Sequence, residues 1–455
     1  MKEANLSFFH QNICAFRKGG FVRLKGMESK MTITISSGGI AGHIAAIPSK
    51  SHLHRLLICA ALVGDAGKST VLHFGQTEAE DIAATIGCLT ALGAKIERNE
   101  SGAVVTPIDL ANLPKKCVLP CHESGSTLRF MLPVVCALGG SGMFKMAGRL
   151  PERPIAPLDS ELIRHGIVFS RPEANLLCCE GRLSAGDYLL PGDVSSQYIT
   201  GLLLALPLVE GDSRLTVSGL IESEDYISLT LQVCAQFGLE LGENPYVFER
   251  GRGFVSPGEA VAEGDWSNAA FWLCAGAMPG GNVKLSGMKP DSTQGDKEVC
   301  GILQQMGASV SWSDGILSVV EKNRRGVEID ARAIPDLVPV LAAVAAVSEG
   351  VTLFKNAGRL RLKESDRLMT TAQTLNALGA KITEEKDALR VEGVPELTGG
   401  KIDACGDHRI AMMAAVASAA CTAPVIITGA EAVNKSYPKF WDDIEMLCKK
   451  VTRNG

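Results

Sequence analysis

The chain has no excess of positive charge, no run of residues fit to cross a bilayer and no paired-cysteine motif, and each absence removes a class of protein. Its formal net charge is −5, which argues against general binding to nucleic acid or to an anionic membrane surface. Any anionic ligand must therefore be met by locally gathered basic residues. No apolar stretch reaches the ~18 residues of a membrane span without an interrupting Gly, Pro or charge. The 14 cysteines are scattered and form no CxxC pair, which favours reduced thiols in a cytosol over a disulfide framework. Cys117, Cys121 and His122 have no second Cys/His pair at zinc spacing, so no metal site is expected there.

What is present is a repeat. The 455 residues, 46% hydrophobic and 21% charged, are too many for one ordinary core, so two large domains are the default. Six times a short polar cluster stands directly before a run of small and apolar residues, marked by Ser49, Ser124, Ser195, Asp265, Asp336 and Asp407, at steps of 75, 71, 70, 71 and 71 residues. A second series in phase with it ends at Ile96, Phe169, Leu241, Val310 and Ile382. Self-similarity at a fixed period defines the architecture before any other feature.

Within a period the pattern reads as strand, apolar helix, strand, amphipathic helix and strand pair. In the last full copy, 351–358 is β-rich, 364–380 has helical spacing with Leu368, Ala372, Leu375 and Leu378 as its apolar stripe, and 381–393 reads as a hairpin. The marker helices are apolar nearly all round and should be buried, whereas the others carry a polar face and should meet solvent. Pro133 and Pro207 fall inside predicted buried helices, where kinks or early ends are expected. Units of this kind must share a core with their copies. Six of them divide into two similar α/β lobes of three repeats with a cleft between. An open solenoid is the alternative, but its marker clusters would lie in a row and could not converge. Residues 1–30 stand outside the repeat, lack a signal-peptide core, and contain Met27 just ahead of Met31 as alternative starts.

Polar residues opening buried helices are natural anion sites, because free backbone N–H groups and the helix dipole meet there. Ser49, Ser51, Ser124, Ser126, Ser195, Ser196 and Ser267 hold such positions. Any one of them alone is most simply an N-cap. Lys50, Arg55, Arg129, Arg153, Arg359, Arg361, Lys363, Arg367, Arg409 and Lys435 gather near the same points. Buried without an anion they would leave like charges unpaired, so a cleft for more than one phosphate or carboxylate is expected. Asp336 and Glu364 are the acids in this basic setting, and each could serve as a base. The plainer readings make Asp336 an N-cap and Glu364 an ion-pair partner of Arg367. The segment GDAGKST at 64–70 imitates a phosphate-binding loop but has Leu62 where that motif needs Gly, and it follows a helix instead of a strand.

In the segments PSKSHLHR, SGSTLR, PERPI, SSQY, IPD, LKESDRL, GDHRIAM and NKSYPKF, the chain from about residue 31 to about 445 resembles the 5-enolpyruvylshikimate-3-phosphate synthase family. The resemblance implies one lobe over 48–263 on the shikimate 3-phosphate side. The other, 31–47 plus 264–455, would carry phosphoenolpyruvate and the acid/base groups, with closure about a hinge crossed twice. It implies a monomeric cytoplasmic enzyme with two small-molecule substrates and no cofactor, metal, nucleic acid or membrane partner. By position, Lys50 would touch both substrates and take part in catalysis. Ser51, Arg55, Ser195, Ser196, Gln197, Tyr226, Asp336 and Lys363 would hold shikimate 3-phosphate. Gly125, Arg153, Gln197, Arg367, Arg409 and Lys435 would line the phosphoenolpyruvate site. Asp336 would take the proton of the 5-hydroxyl, and Glu364 would handle the proton at the methylene carbon.

The chain departs from the family's usual Asn-Ala/Ser-Gly-Thr stretch at Glu123-Ser124-Gly125-Ser126, so response to glyphosate does not follow from the resemblance. Pairing of Glu123 with Arg129 is one expectation, and Arg359 stands where the family commonly has Asn. The related UDP-N-acetylglucosamine enolpyruvyl transferases would require a cysteine between Gly148 and Arg153, where there is none. A non-catalytic anion-binding repeat protein would have no need of Asp336 or Glu364. An RNA-end cyclase of related fold would want a basic groove, which the acidic balance disfavours.

Overall fold

The computed structural model describes residues 30–448 and 451–454, apart from 66, 77 and 78. The segment 1–29 and its alternative start at Met27 lie outside the described residues. Six buried helices recur at the expected period: Lys50–Ala61, Gly125–Leu138, Ser196–Ala205, Trp266–Ala277, Val338–Ala345 and His408–Ala417. Their sequences leave no polar face, and nearly every side chain in them is shielded from solvent. Each is followed by a second helix with one buried and one exposed face, as in Glu80–Ala91 and Arg367–Ala377.

A small sheet closes each unit. In the fifth, Glu328–Asp330 runs parallel to Val351–Lys355, which pairs antiparallel with Leu389–Glu392, itself paired antiparallel with Lys381–Glu384. The last pairing is the expected hairpin, with Lys381 opposite Glu392. The helix before it is shorter than the pattern 364–380 predicts. It starts after Asp366, whose side chain accepts from the Met369 N–H, and ends before Gly379, which takes a φ of 98° closed to most L-residues. Leu368, Ala372, Leu375 and Leu378 are buried along its inner face.

Three sheets take strands from elsewhere in the chain. Ala41–Ala45 pairs parallel with Asn282–Ser286, and Thr32–Ile35 lies antiparallel between Val425–Thr428 and Val451–Asn454. The return strand Glu259–Val261 pairs parallel with Thr70–His73. The buried side chains accordingly fall into two clusters, one from Leu53 to Ala260 and the other joining Ile33–Ile44 to 266–447.

The two chain crossings between these bodies run side by side. The Ser49 N–H donates to the Glu263 carbonyl at 2.7 Å and the Asp265 N–H to the Ile47 carbonyl at 2.8 Å. Gln294 ties this junction together: its Oε1 accepts from Ser49 Oγ and the Trp266 N–H, and its Nε2 donates to the Gly264 carbonyl and Glu263.

The prolines behave differently from one another. The helix 125–138 continues through Pro133, while the helix 196–205 stops before Pro207, which lies in a short 3-10 turn. Gly201 lets the second helix approach the first here, since a Cβ on it would sit 2.4 Å from the Arg129 carbonyl and 2.8 Å from Pro133. That carbonyl is the group Pro133 leaves without a helical donor.

Candidate active site

Five of the six marker residues are helix N-caps. Ser49, Ser124, Ser195, Asp265 and Asp407 accept from the N–H groups of His52, Thr127, Gln197, Asn268 and Arg409. Capping fixes the first turn, so the residues that follow are aimed rather than free. Lys50, Gly125, Ser196, Ser267 and Arg409, with Asp336 before the remaining helix, all line one cleft. The convergence of these helix starts excludes the open solenoid.

The same wall carries Ser51, Arg55, Arg153, Ser195, Gln197, Tyr226, Lys363, Glu364 and Arg367. Arg361, expected among the cleft cations, stays outside and pairs with Asp366 and Glu384 instead. Of the residues assigned to the substrates, Lys435 alone lies outside. It lies in an adjoining recess whose wall shares Arg153 and Glu364 with the cleft, and its Nζ is 3.8 Å from Glu364.

Charge is concentrated around two carboxylates. Asp336 lies 2.7 Å from Arg367, 3.2 Å from Lys363 and 3.5 Å from Arg409. Glu364 lies 2.7 Å from Arg367 and 3.6 Å from Arg153. Desolvation alone would raise both carboxyl groups, but the surrounding cations outweigh it and hold both well below the ordinary carboxylate range. Arg367 is fixed in turn by Asp407 at 2.7 Å. In the cleft wall Lys50, Arg55, Arg129, Arg153, Arg359, Lys363, Arg367 and Arg409 outnumber Asp81, Asp265, Asp336 and Glu364 two to one. His408 adds no charge, because burial and the nearby cations push its imidazole well below its usual value. Such a site is built for anions.

Other groups are already engaged. Arg55 donates to Thr230, Thr200 and the carbonyls of Ser51 and Tyr226, and burial lowers it to about 10. Arg129 donates to Gln197 Oε1 at 2.9 Å, and Gln197 Nε2 donates to Ser126. The Tyr226 hydroxyl reaches across to Asp296 at 3.3 Å.

A family model described as EPSP synthase (3-phosphoshikimate 1-carboxyvinyltransferase) matches residues 36–444. The chain is 40% identical over 426 residues to the 3-phosphoshikimate 1-carboxyvinyltransferase of Clostridium beijerinckii, covering 91% of this chain and 97% of that protein. With the Clostridioides difficile protein of the same name it shares 38% over 434 residues, or 92% and 98% of the two chains.

The chain belongs to the EPSP synthase family. The fold agrees: EPSP synthase from Acinetobacter baumannii superposes with a TM-score of 0.75 at 24% identity, covering 93% of this chain and 100% of that one. The enolpyruvyl transferase NikO from Streptomyces tendae superposes at 0.74 with 17% identity, covering 94% and 99%.

Against this family background, two expectations need correction. Asp336 is not an N-cap: the helix begins at Val338 with Leu337 before it, and the Asp336 side chain turns to the cations instead. Glu123 does not pair with Arg129. Its carbonyl accepts from Lys435 Nζ at 3.1 Å and its carboxylate lies 3.5 Å from the same atom, because Arg129 is held by Gln197 and the Pro154 carbonyl.

Asp81, Ser223 and Asn268 are among the cleft residues that were not anticipated. Asp81 opens a peripheral helix yet is buried, with Lys50 Nζ 2.7 Å away. Only Asn268, three residues after a marker, carried a positional signal.

Proposed function

We propose that this chain transfers the enolpyruvyl group of phosphoenolpyruvate to the 5-hydroxyl of shikimate 3-phosphate, releasing phosphate, in the cleft lined by the six helix starts. The single observation that carries this reading is the pair of carboxylates, Asp336 and Glu364, set in a surplus of cations at the meeting point of those helices.

The chemistry requires two multiply charged anions to approach, so their repulsion must first be neutralised. Ser195, Ser196, Ser51, Arg55, Gln197, Tyr226 and Lys363 form the acceptor side. Arg153, Arg367, Arg409, Lys435 and Gly125, whose missing side chain leaves room for the Arg153 guanidinium, form the phosphoenolpyruvate side, with Lys50 between. Asp336 takes the proton of the 5-hydroxyl as that hydroxyl's oxygen attacks C2 of phosphoenolpyruvate, the carbon that bears the phosphate ester oxygen. Glu364, which takes up a proton from solvent once substrate binding has raised its proton affinity, delivers that proton to the methylene carbon, then removes one from the resulting methyl group as phosphate leaves.

Both carboxylates neutralise the arginines around them. Anionic substrates take over those arginine contacts, which weakens the field on the carboxylates and raises their proton affinity toward the range useful in catalysis. Binding thereby switches on the base and the acid.

The adjacent crossings at Pro48 and Gly264 suit a hinge about which a lobe of 48–263 closes on one of 31–47 plus 264–455. We take the protein to act as a cytoplasmic monomer on these small molecules alone. The net charge of −5 supports neither a nucleic-acid nor a membrane partner, and no described helix is long and apolar enough to cross a membrane.

The test measures phosphate release with each substrate alone and with both. Release is expected only when shikimate 3-phosphate and phosphoenolpyruvate are present together. Release from phosphoenolpyruvate alone, or none with both, would overturn the assignment.

A further inference from the structure

An ion pair spans the cleft at the serine corner. Arg359 Nη1 donates to Glu222 Oε2 at 2.7 Å and to Ser223 Oγ at 3.3 Å. Arg359 sits in the 3-10 turn Gly358–Leu362, whose core belongs with 266–447, whereas Glu222 and Ser223 directly precede the helix Glu224–Gln236 of the other cluster. The Arg359 and Glu222 side chains are 23% and 16% exposed. They are shielded enough to hold one another and open enough to exchange partners.

Ser223 adds a second sign of a built site. It takes a left-handed backbone with φ of 56°, unusual for a residue with a side chain, and its hydroxyl donates to the Arg332 carbonyl on the opposite side. The residue is held there by contacts from across the cleft. Ser195, Ser196, Ser223, Lys363 and Arg359 line the same cavity, so hydroxyls and two cations converge while Glu222 stands outside the lining.

We propose that Arg359 is a specificity-determining residue. It exchanges its cross-cleft ion pair with Glu222 for the phosphate of the acceptor, so that closure favours a phosphorylated ring over the same ring without phosphate. This rests on placing the acceptor's phosphate among the serines. A phosphate dianion carries more charge than a carboxylate and offers several oxygens to the guanidinium fork. Arg359 already reaches Ser223 Oγ, so a small shift of its side chain completes the transfer. Glu222 shields the guanidinium and competes with the incoming phosphate. The pair thus sets both how firmly the empty lobes hold and how strongly phosphate is read.

The test compares Arg359→Gln, Glu222→Gln and the double variant with the wild-type protein. Calorimetry gives Kd for shikimate 3-phosphate and for shikimate, and steady-state assays give KM for both substrates. Arg359→Gln should weaken shikimate 3-phosphate about tenfold or more, the scale of one charge-assisted contact, and leave shikimate and phosphoenolpyruvate within twofold. Glu222→Gln should tighten shikimate 3-phosphate several-fold, and that gain should vanish in the double variant.

Equal weakening of shikimate and shikimate 3-phosphate by Arg359→Gln, or additive effects in the double variant, would overturn the proposal. Glu222→Gln keeps the size and hydrogen-bonding capacity of the side chain, so it tests the exchange even if the arginine variant misfolds. Absence of phosphate release by the wild-type protein with both substrates would instead refute the underlying reaction.

Discussion

Asp336 and Arg367 are joined at 2.7 Å, yet neither depends on the other for its place. Arg367 is also held by Asp407 and Glu364, and the Asp336 carbonyl accepts from Arg409 Nη1 at 2.9 Å. The Asp336 carboxylate can therefore be removed as a base without collapsing the site around it. Asp336→Asn should lower kcat by about 10²–10⁴, the usual worth of a positioned general base, with a melting temperature close to wild type. Substrate affinity should hold or rise, because the cations lose a competing anion. A variant with unchanged phosphate release would show that Asp336 is not the base.

Gly125 is a matter of space. A Cβ there would come within 2.7 Å of Arg129 Nη1 and 2.8 Å of Arg153 Nη1, closer than such contacts allow. Gly125→Ala should push the Arg153 guanidinium out of place and cost about 1 kcal/mol in its contact with phosphoenolpyruvate, about fivefold in KM. The KM for shikimate 3-phosphate should change less. Steady-state kinetics with each substrate varied in turn will separate the two effects.

The period made the helix starts legible before any coordinates, because capping residues and apolar runs are local signals. It was less able to say which residue at each start does chemistry. The markers Ser49, Ser124, Ser195, Asp265 and Asp407 cap their own helices; Ser195 and Asp265 also line the cleft, but at the other three starts it is reached by the residues that follow, as Lys50 and Arg409 show. Contacts made by packing were not legible at all. Asp81 meets Lys50 from 31 residues away, and Lys435 meets Glu123 from 312. Local proximity favoured Arg129 as the partner of Glu123, but tertiary packing had already given Arg129 to Gln197.

His54 makes folding sensitive to acid. It is buried, with Nδ1 2.7 Å from Thr85 Oγ1 and no partner for Nε2. Burial first, then Lys50 and Arg55, bring it down from 6.5 to about 3, against the pull of Asp81. Its folded value is depressed, so the unfolded chain binds the extra proton. Stability is therefore complete above pH 6.5 and lost progressively as pH falls from there toward 3. His52, lowered to about 4 mainly by burial, adds in the same direction. Melting temperatures between pH 7 and 4.5 should fall steeply for the wild type and less steeply for His54→Asn, whatever the variant's stability at neutral pH. Parallel slopes would exclude His54 as the source.

Gln294 is the most consequential uncharged residue at the junction between the lobes. Ser49 Oγ, the Trp266 N–H and the Gly264 carbonyl each use it as a partner at 2.9–3.2 Å, and they belong to both crossing segments. Gln294→Ala would leave these buried groups without that partner, at about 1–3 kcal/mol for each one that water cannot reach. A loss of about 3 kcal/mol in denaturant unfolding is expected, with the slope of the transition unchanged. Gln294→Glu should also destabilise. It keeps the acceptor toward Trp266 and Ser49 but sets a second carboxylate against Glu263, now 3.2 Å from Gln294 Nε2. Its loss should shrink as pH falls and one of the two acids takes a proton, whereas the alanine variant should show no such recovery.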